Sequence, residues 1–184
     1  MRVTLTKIHT ILAAFLLPMG LMYAVTGGLY TWGVKGEHKA MEVTLDLGDP
    51  LPVELSALVA LAEAELKARG LDVPTGGAGL RKGGTSQYFE WTGSSRDVQI
   101  HPTADPTRAT LKILEASPHR YFVQLHKAKG GVAFRFLAAV WALGLVGLFV
   151  SGGAIAVMAR PYRKLAAASA LLGLLAFGVL AWLS

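Results

Sequence analysis

The chain contains no cysteine. That excludes disulfides, iron–sulfur clusters, thiolate zinc sites and covalent haem attachment through C-x-x-C-H. A cofactor held by histidine alone remains allowed. Acidic residues are few and confined, all 12 lying between Glu37 and Glu115. The polar pieces on either side, 1–7 and 159–164, carry only Arg2, Lys7, Arg160, Arg163 and Lys164. Between Leu51 and Ser117 no nucleophile–base pair or paired-carboxylate site can be found. Gly76-Gly77-Ala78-Gly79 lacks the Lys-Ser/Thr of a phosphate loop and reads as a flexible turn. No nucleic-acid motif accompanies the net charge of +6, so the charge bears on membrane topology rather than on nucleic acid.

Apolar residues are abundant, 53% of the chain, and they gather at 8–32, 136–158 and 165–183. Each run is about as long as the ~20 residues that cross a hydrocarbon core. The pattern predicts a membrane α-helical protein with three transmembrane helices and a small extracytoplasmic α+β domain. The segments are 1–35 (basic lead and first span), 36–125 (soluble domain), 126–158 (second span), 159–164 (turn) and 165–184 (third span). The first run is about twice the length of a signal-peptide core and reads as an uncleaved anchor. Short Lys/Arg loops stay in the cytoplasm. The N-terminus is therefore expected inside, the soluble domain outside, 159–164 inside and the C-terminus outside, although Lys35, Lys39, Lys127, Lys129 and Arg135 flank the spans on the outer side.

Within the first span Pro18 predicts a kink, and Tyr23, Tyr30 and Trp32 suit the outer interface. In the soluble part, Leu55, Leu58, Val59, Ala62 and Leu66 follow the spacing of one helix face, opened by Pro52 and closed by Gly70. Gln87–Thr92 and Arg96–His101, joined by Gly93-Ser94-Ser95, read as a hairpin, and Ala109–Leu114 as a third strand. The domain is one helix on an antiparallel sheet, with Gly33–Asp49 leading into it. His101 and His119 read as ordinary surface residues. The third span carries no ionisable group and reads as packing.

Two stretches share a pattern. His9 runs into an apolar helix that ends Val25-Thr26-Gly27-Gly28. His126 runs toward one that ends Val150-Ser151-Gly152-Gly153, with Gly130 and Gly131 as its breaking points. If the helices cross the membrane in opposite directions, each histidine lies beside the other's Gly-Gly. Small residues leave room for a flat ligand, and histidine can ligate its metal. This is the arrangement a transmembrane haem pair would need. Each residue also has a plainer reading: His9 resting among headgroups, His38 an exposed histidine, Gly27, Gly144, Gly147, Gly152 and Gly153 serving helix packing. Arg135 stands between snorkelling to headgroups and pairing with a haem propionate. Trp141 belongs to the lipid or helix-packing face.

With these residues the chain resembles the PepSY-associated transmembrane proteins, which include bacterial inner-membrane proteins of iron uptake and siderophore reduction. The likeness rests on Lys7-Ile8-His9 and Thr26-Gly27 in the first span, Leu125-His126, Gly130 and Ser151-Gly152 in the second, and a PepSY-like segment between them. It covers roughly residues 5–158. His9 is followed by Thr10, where that family usually has Arg, and three spans are fewer than its larger members have. The resemblance implies two b-type haems, His9 serving one near the cytoplasmic face and His126 one near the periplasmic face. It also implies electron transfer to ferric iron or a ferric chelate, that is, a ferric (siderophore) reductase of the bacterial inner membrane. The second axial ligands would come from a homodimer, or within one chain from Met158 for His9 and His38 for His126. Electrons would come from quinol or a separate reductase. The rivals are a membrane-anchored PepSY binding or regulatory module, and an accessory subunit of an iron transporter.

Overall fold

The computed structural model describes residues 2–84 and 86–184, the side chain of Arg2 excepted. Three helices are long and apolar enough to cross a membrane: α1 (Arg2–Thr31), α4 (Val132–Met158) and α5 (Arg163–Leu183). Between α1 and α4 the order is β1 (His38–Asp46), α2 (Leu55–Ala68), β2 (Ala78–Gly83), β3 (Ser86–Trp91), β4 (Arg96–Pro102), β5 (Arg108–Ala116) and α3 (Pro118–His126). By compactness the chain divides into two units, Met1–Gly20 with Ala139–Ser184, and Leu21–Ala138. Helices α1 and α4 each contribute to both.

In the first unit, small residues on α4 admit the side chains of α1. A Cβ on Gly144 would stand 3.1 Å from Leu16, and one on Gly147 would stand 3.6 Å from Leu12. Trp141 donates its indole N–H to the Leu16 carbonyl at 3.0 Å. Trp141 is thus a helix-packing residue. Helix α5 follows a turn at 159–162 and buries none of its residues.

The second unit is a five-stranded antiparallel sheet in the order β1-β5-β4-β3-β2, with α2 on one face. The expected stripe closes the core: Leu58, Ala62 and Leu66, four residues apart, pack on Phe89, Val98, Ile100, Leu111 and Ile113. Helix α2 begins three residues after Pro52, with Glu54 at its N-cap, so the proline precedes the helix instead of opening it. Gly70 does close it. With φ +68° it lets the Leu71 and Gly70 N–H groups return to the carbonyls of Leu66 and Lys67, both at 3.0 Å.

The sheet has two strands more than expected. Lead-in residues 38–46 form β1 along β5, register His38 to Ala116 through Asp46 to Arg108. The glycine-rich segment expected as a flexible turn instead enters β2. The Gly76 N–H donates to the Thr92 carbonyl at 2.8 Å, the Thr92 N–H donates to the Gly77 carbonyl at 3.1 Å, and Ala78 and Gly79 pair with Trp91 and Glu90.

The second long helix is interrupted. Ser117 caps α3, accepting from the Arg120 N–H, with Pro118 at its start. The helix stops at His126 in a turn of the same type as at Gly70, the Ala128 and Lys129 N–H groups reaching the Leu125 and Gln124 carbonyls. The residue in the left-handed conformation is here Ala128, φ +57°. Helix α4 starts only at Val132, so His126 closes a short helix of the sheet unit instead of opening the long apolar one.

Candidate functional site: two histidine–hydroxyl–glycine motifs

His9 and His126 have matching surroundings. His9 Nδ1 is 2.9 Å from Ser151 Oγ, and His126 Nδ1 is 2.7 Å from Thr26 Oγ1. The next residue in each case is a glycine on which the imidazole rests. A Cβ on Gly152 would lie 3.2 Å from His9 Cε1, and one on Gly27 would lie 3.2 Å from His126 Cε1. Both hydroxyl residues are buried and both histidines are half-exposed. The two motifs form separately, the first within the helical unit and the second within the sheet unit.

Each hydroxyl also reaches a helix carbonyl. Ser151 Oγ reaches the Leu148 carbonyl at 3.0 Å, and Thr26 Oγ1 reaches the Met22 carbonyl at 2.6 Å. A hydroxyl has one proton. The hydroxyl therefore either donates to Nδ1 or, with its proton on the helix carbonyl, accepts from an Nδ1–H. In the second arrangement Nε2 of the neutral ring holds the lone pair. A ligating histidine needs this preparation: its second nitrogen anchored by a donor bond, its first free to bind.

The first glycine of each pair therefore accommodates the imidazole, where a flat ligand was expected. The second glycine meets that expectation better, since nothing lies within 4 Å of a Cβ built on Gly28 or Gly153, and both are exposed. Around His126 the site has further walls. Tyr23 meets the imidazole edge-on, ring centroids 4.6 Å apart. A cavity of about 230 Å³ opens beside His126, lined by Thr26, Gly27, Tyr30, Val123 and Lys127. The ammonium groups of Lys35 and Lys127 lie 5.3 and 5.9 Å from the Tyr30 ring centroid, within cation–π range.

The second ligands expected within the chain are not brought to these histidines. Met158 lies seven residues beyond Ser151 on α4, about 10 Å along the axis at 1.5 Å per residue. His38 is engaged near the other end of α3 from His126. Its Nε2 accepts from Arg120 Nε at 3.3 Å and stands 3.9 Å from Asp97 Oδ2. Burial and the Arg120 guanidinium hold the His38 pKa below its ordinary 6.5, against the pull of Asp97. Arg135 is exposed in the first turn of α4. Lys127, unnoticed in the sequence as a site residue, is the cation that lines the cavity. Among the described residues no group of three or more His, Asp or Glu side chains is placed to hold a bare metal ion.

His101 and His119, expected as ordinary surface residues, are half-buried and each is engaged. His101 stacks on Tyr88 at 4.5 Å and bonds Gln99 at 3.0 Å, and His119 bonds the Val34 carbonyl at 3.2 Å. No protein-family model, curated protein or solved structure matches this chain.

Proposed function

We propose that the protein is a b-type haem protein of the bacterial inner membrane that passes electrons outward to ferric iron or a ferric chelate. The observation that carries this reading is the duplicated motif, in which Ser151 and Thr26 each hold a histidine at Nδ1; with the hydroxyl proton on the helix carbonyl, Nδ1 carries the N–H and Nε2 is free to ligate. The donor set fits haem better than a bare ion, since each site offers one imidazole nitrogen and no carboxylate. Bound there, haem would supply one-electron exchange, one electron reducing one Fe(III) to Fe(II) in the acceptor.

The chain's own part is binding and orientation. His9 and His126 would supply axial nitrogens, and Gly28 and Gly153 leave an open face beside them. Lys127 and Lys35, gathered on Tyr30, suit the carboxylate edge of such a ligand better than the exposed Arg135. A cavity of about 230 Å³ is smaller than the roughly 300–1,000 Å³ that encloses a small molecule. One chain thus provides part of a wall and one ligand per site. A homodimer would supply His9 twice and His126 twice, which the placement of Met158 and His38 favours over an intrachain second ligand. The PepSY-like identity of the sheet domain and its location outside the membrane belong to the same proposal. So does the orientation, with N-terminus inside and C-terminus outside, drawn from the short Lys/Arg-bearing pieces 1–7 and 159–164. A quinol or a separate reductase would be the donor, since nothing among the described residues resembles a flavin or nicotinamide domain.

The test uses proteoliposomes with a reductant enclosed and an impermeant ferric chelate outside. Wild type should produce ferrous chelate outside, and His9→Ala and His126→Ala should each abolish it. Reduction undiminished in both variants would refute the proposal. A second reading, a membrane-anchored binding module or transporter subunit, draws on a separate cavity of about 310 Å³ at the end of the sheet, lined in part by Leu51, Leu58, Phe89, Ile100 and Arg108. That reading requires colourless protein whose function survives loss of both histidines.

A further inference from the structure

Asp97, at the start of β4, is a buried carboxylate, its side chain 6% exposed. Such a group is costly unless donors surround it, and here they do. It accepts from the Gly93 N–H at 2.8 Å, the Gln124 amide at 3.0 Å and the Lys129 ammonium at 3.4 Å. Two of the three come from the segment that carries His126: Gln124 two residues before it, Lys129 three after it.

Gln124 is itself buried, at 1% exposure. Its amide nitrogen faces Asp97 while its Oε1 has no partner. An apolar side chain would fill this position without leaving an acceptor unpaired. The glutamine is therefore explained by its bond to the carboxylate, not by packing. Helix α3 has nine residues, too few to hold its shape in isolation. Its position is set by what it docks on, and its last turn docks on Asp97.

From this we infer that Asp97 is a positioning residue for His126. Through Gln124 and Lys129 it holds the last turn of α3 so that the His126 imidazole meets Thr26 with Nδ1 protonated and Nε2 outward. The sheet domain then acts on the histidine site as the frame that aims its ligand. This deepens the haem reading, which gives the outward Nε2 its use, but the ring orientation can be measured without haem.

The experiment is nitrogen-15 NMR of histidine-labelled, haem-free full-length protein in nanodiscs, with His9 as internal control. In wild type both rings should show the Nδ1-protonated tautomer. Asp97→Asn should abolish that signature at His126 and leave His9 unchanged. The double variant Asp97→Asn/Gln124→Glu exchanges donor and acceptor, while the new amide oxygen on β4 still accepts from Gly93, and should restore it. Gln124→Leu, which keeps Asp97 with Gly93 and Lys129, should lose the signature at His126 with the sheet amide signals intact. This variant decides the matter if Asp97→Asn unfolds the sheet. An unaltered His126 tautomer in the folded variants, an equal change at His9, or no recovery in the double variant would overturn the inference. Reconstitution with haem adds an independent readout: two haems per dimer in wild type, one in Asp97→Asn, two again in the double variant. No haem in any of them would refute the haem reading while the tautomer result still decides the role of Asp97.

Discussion

At the scale of single residues, Ser151 and Thr26 do what a ligating histidine requires of its neighbour. Each holds its histidine at Nδ1 and reaches a helix carbonyl, to which it can give its proton and so present an acceptor to Nδ1. Ser151→Ala and Thr26→Val should each weaken haem binding at their own site by roughly 10- to 100-fold, the usual cost of losing the partner that orients a ligand. Competition against a haem-scavenging apoprotein measures this, and each variant should spare the other site. The histidines and their small neighbours were legible in the sequence because the pattern occurs twice in the same order. The role of the hydroxyl was not, since Ser/Thr before glycine reads equally well as small-residue packing. Asp97 and Lys127 were illegible for a different reason. A lone aspartate at the start of a strand and a lysine beside a membrane span look like ordinary polar surface until α3 is docked.

At the scale of elements, the break between α3 and α4 is built on a residue unsuited to it. Ala128 adopts φ +57° where the left-handed conformation costs an L-residue roughly 1–2 kcal/mol and glycine almost nothing. Ala128→Gly should stabilise the sheet unit by about 1 kcal/mol, read as a higher urea midpoint at unchanged slope. The sequence placed the break at Gly130 and Gly131, as glycine usually marks such turns; the left-handed residue is two positions earlier. Strands β1 and β2 escaped notice for related reasons. In β1 Met41, Val43 and Leu45 alternate with Glu42, Thr44 and Asp46, a strand signal confined to a short polar-flanked stretch on an edge. In β2 only Leu80 is a large apolar residue. Pairing with β5 and β3 decides their conformation, not local propensity. The long apolar runs, α2, β3, β4 and β5 were legible because periodicity and length agree there.

The sheet unit should also respond to acid through its histidines. Burial and the nearby Lys112 hold His101 below its ordinary 6.5, as burial, Arg120 and Lys129 hold His38 against Asp97. Between the folded value and 6.5 the unfolded chain binds more protons, so stability rises with pH across that window. The contribution is complete above about 6.5 and is lost as pH falls through the folded value. The urea midpoint should therefore drop between pH 7.5 and 5.5. His101→Gln, which leaves the Asp97 network untouched, should show a smaller drop.

At the scale of the whole molecule, two compact units each assemble one copy of the same motif, and α1 contributes to both: His9 to one, Thr26 and Gly27 to the other. A helix of 30 residues is about 45 Å long at 1.5 Å per residue, enough to cross a bilayer. One chain supplies one histidine to each motif, so two ligands on each haem call for a second copy, and haem-loaded protein should run as a dimer. The most direct test of the central claim is the absorption spectrum of detergent-purified protein, expressed with haem supplied, before and after dithionite. A Soret band that shifts and sharpens with a distinct α band on reduction, at two haems per dimer and halved in His9→Ala or His126→Ala, is the expected result. A featureless spectrum would contradict it.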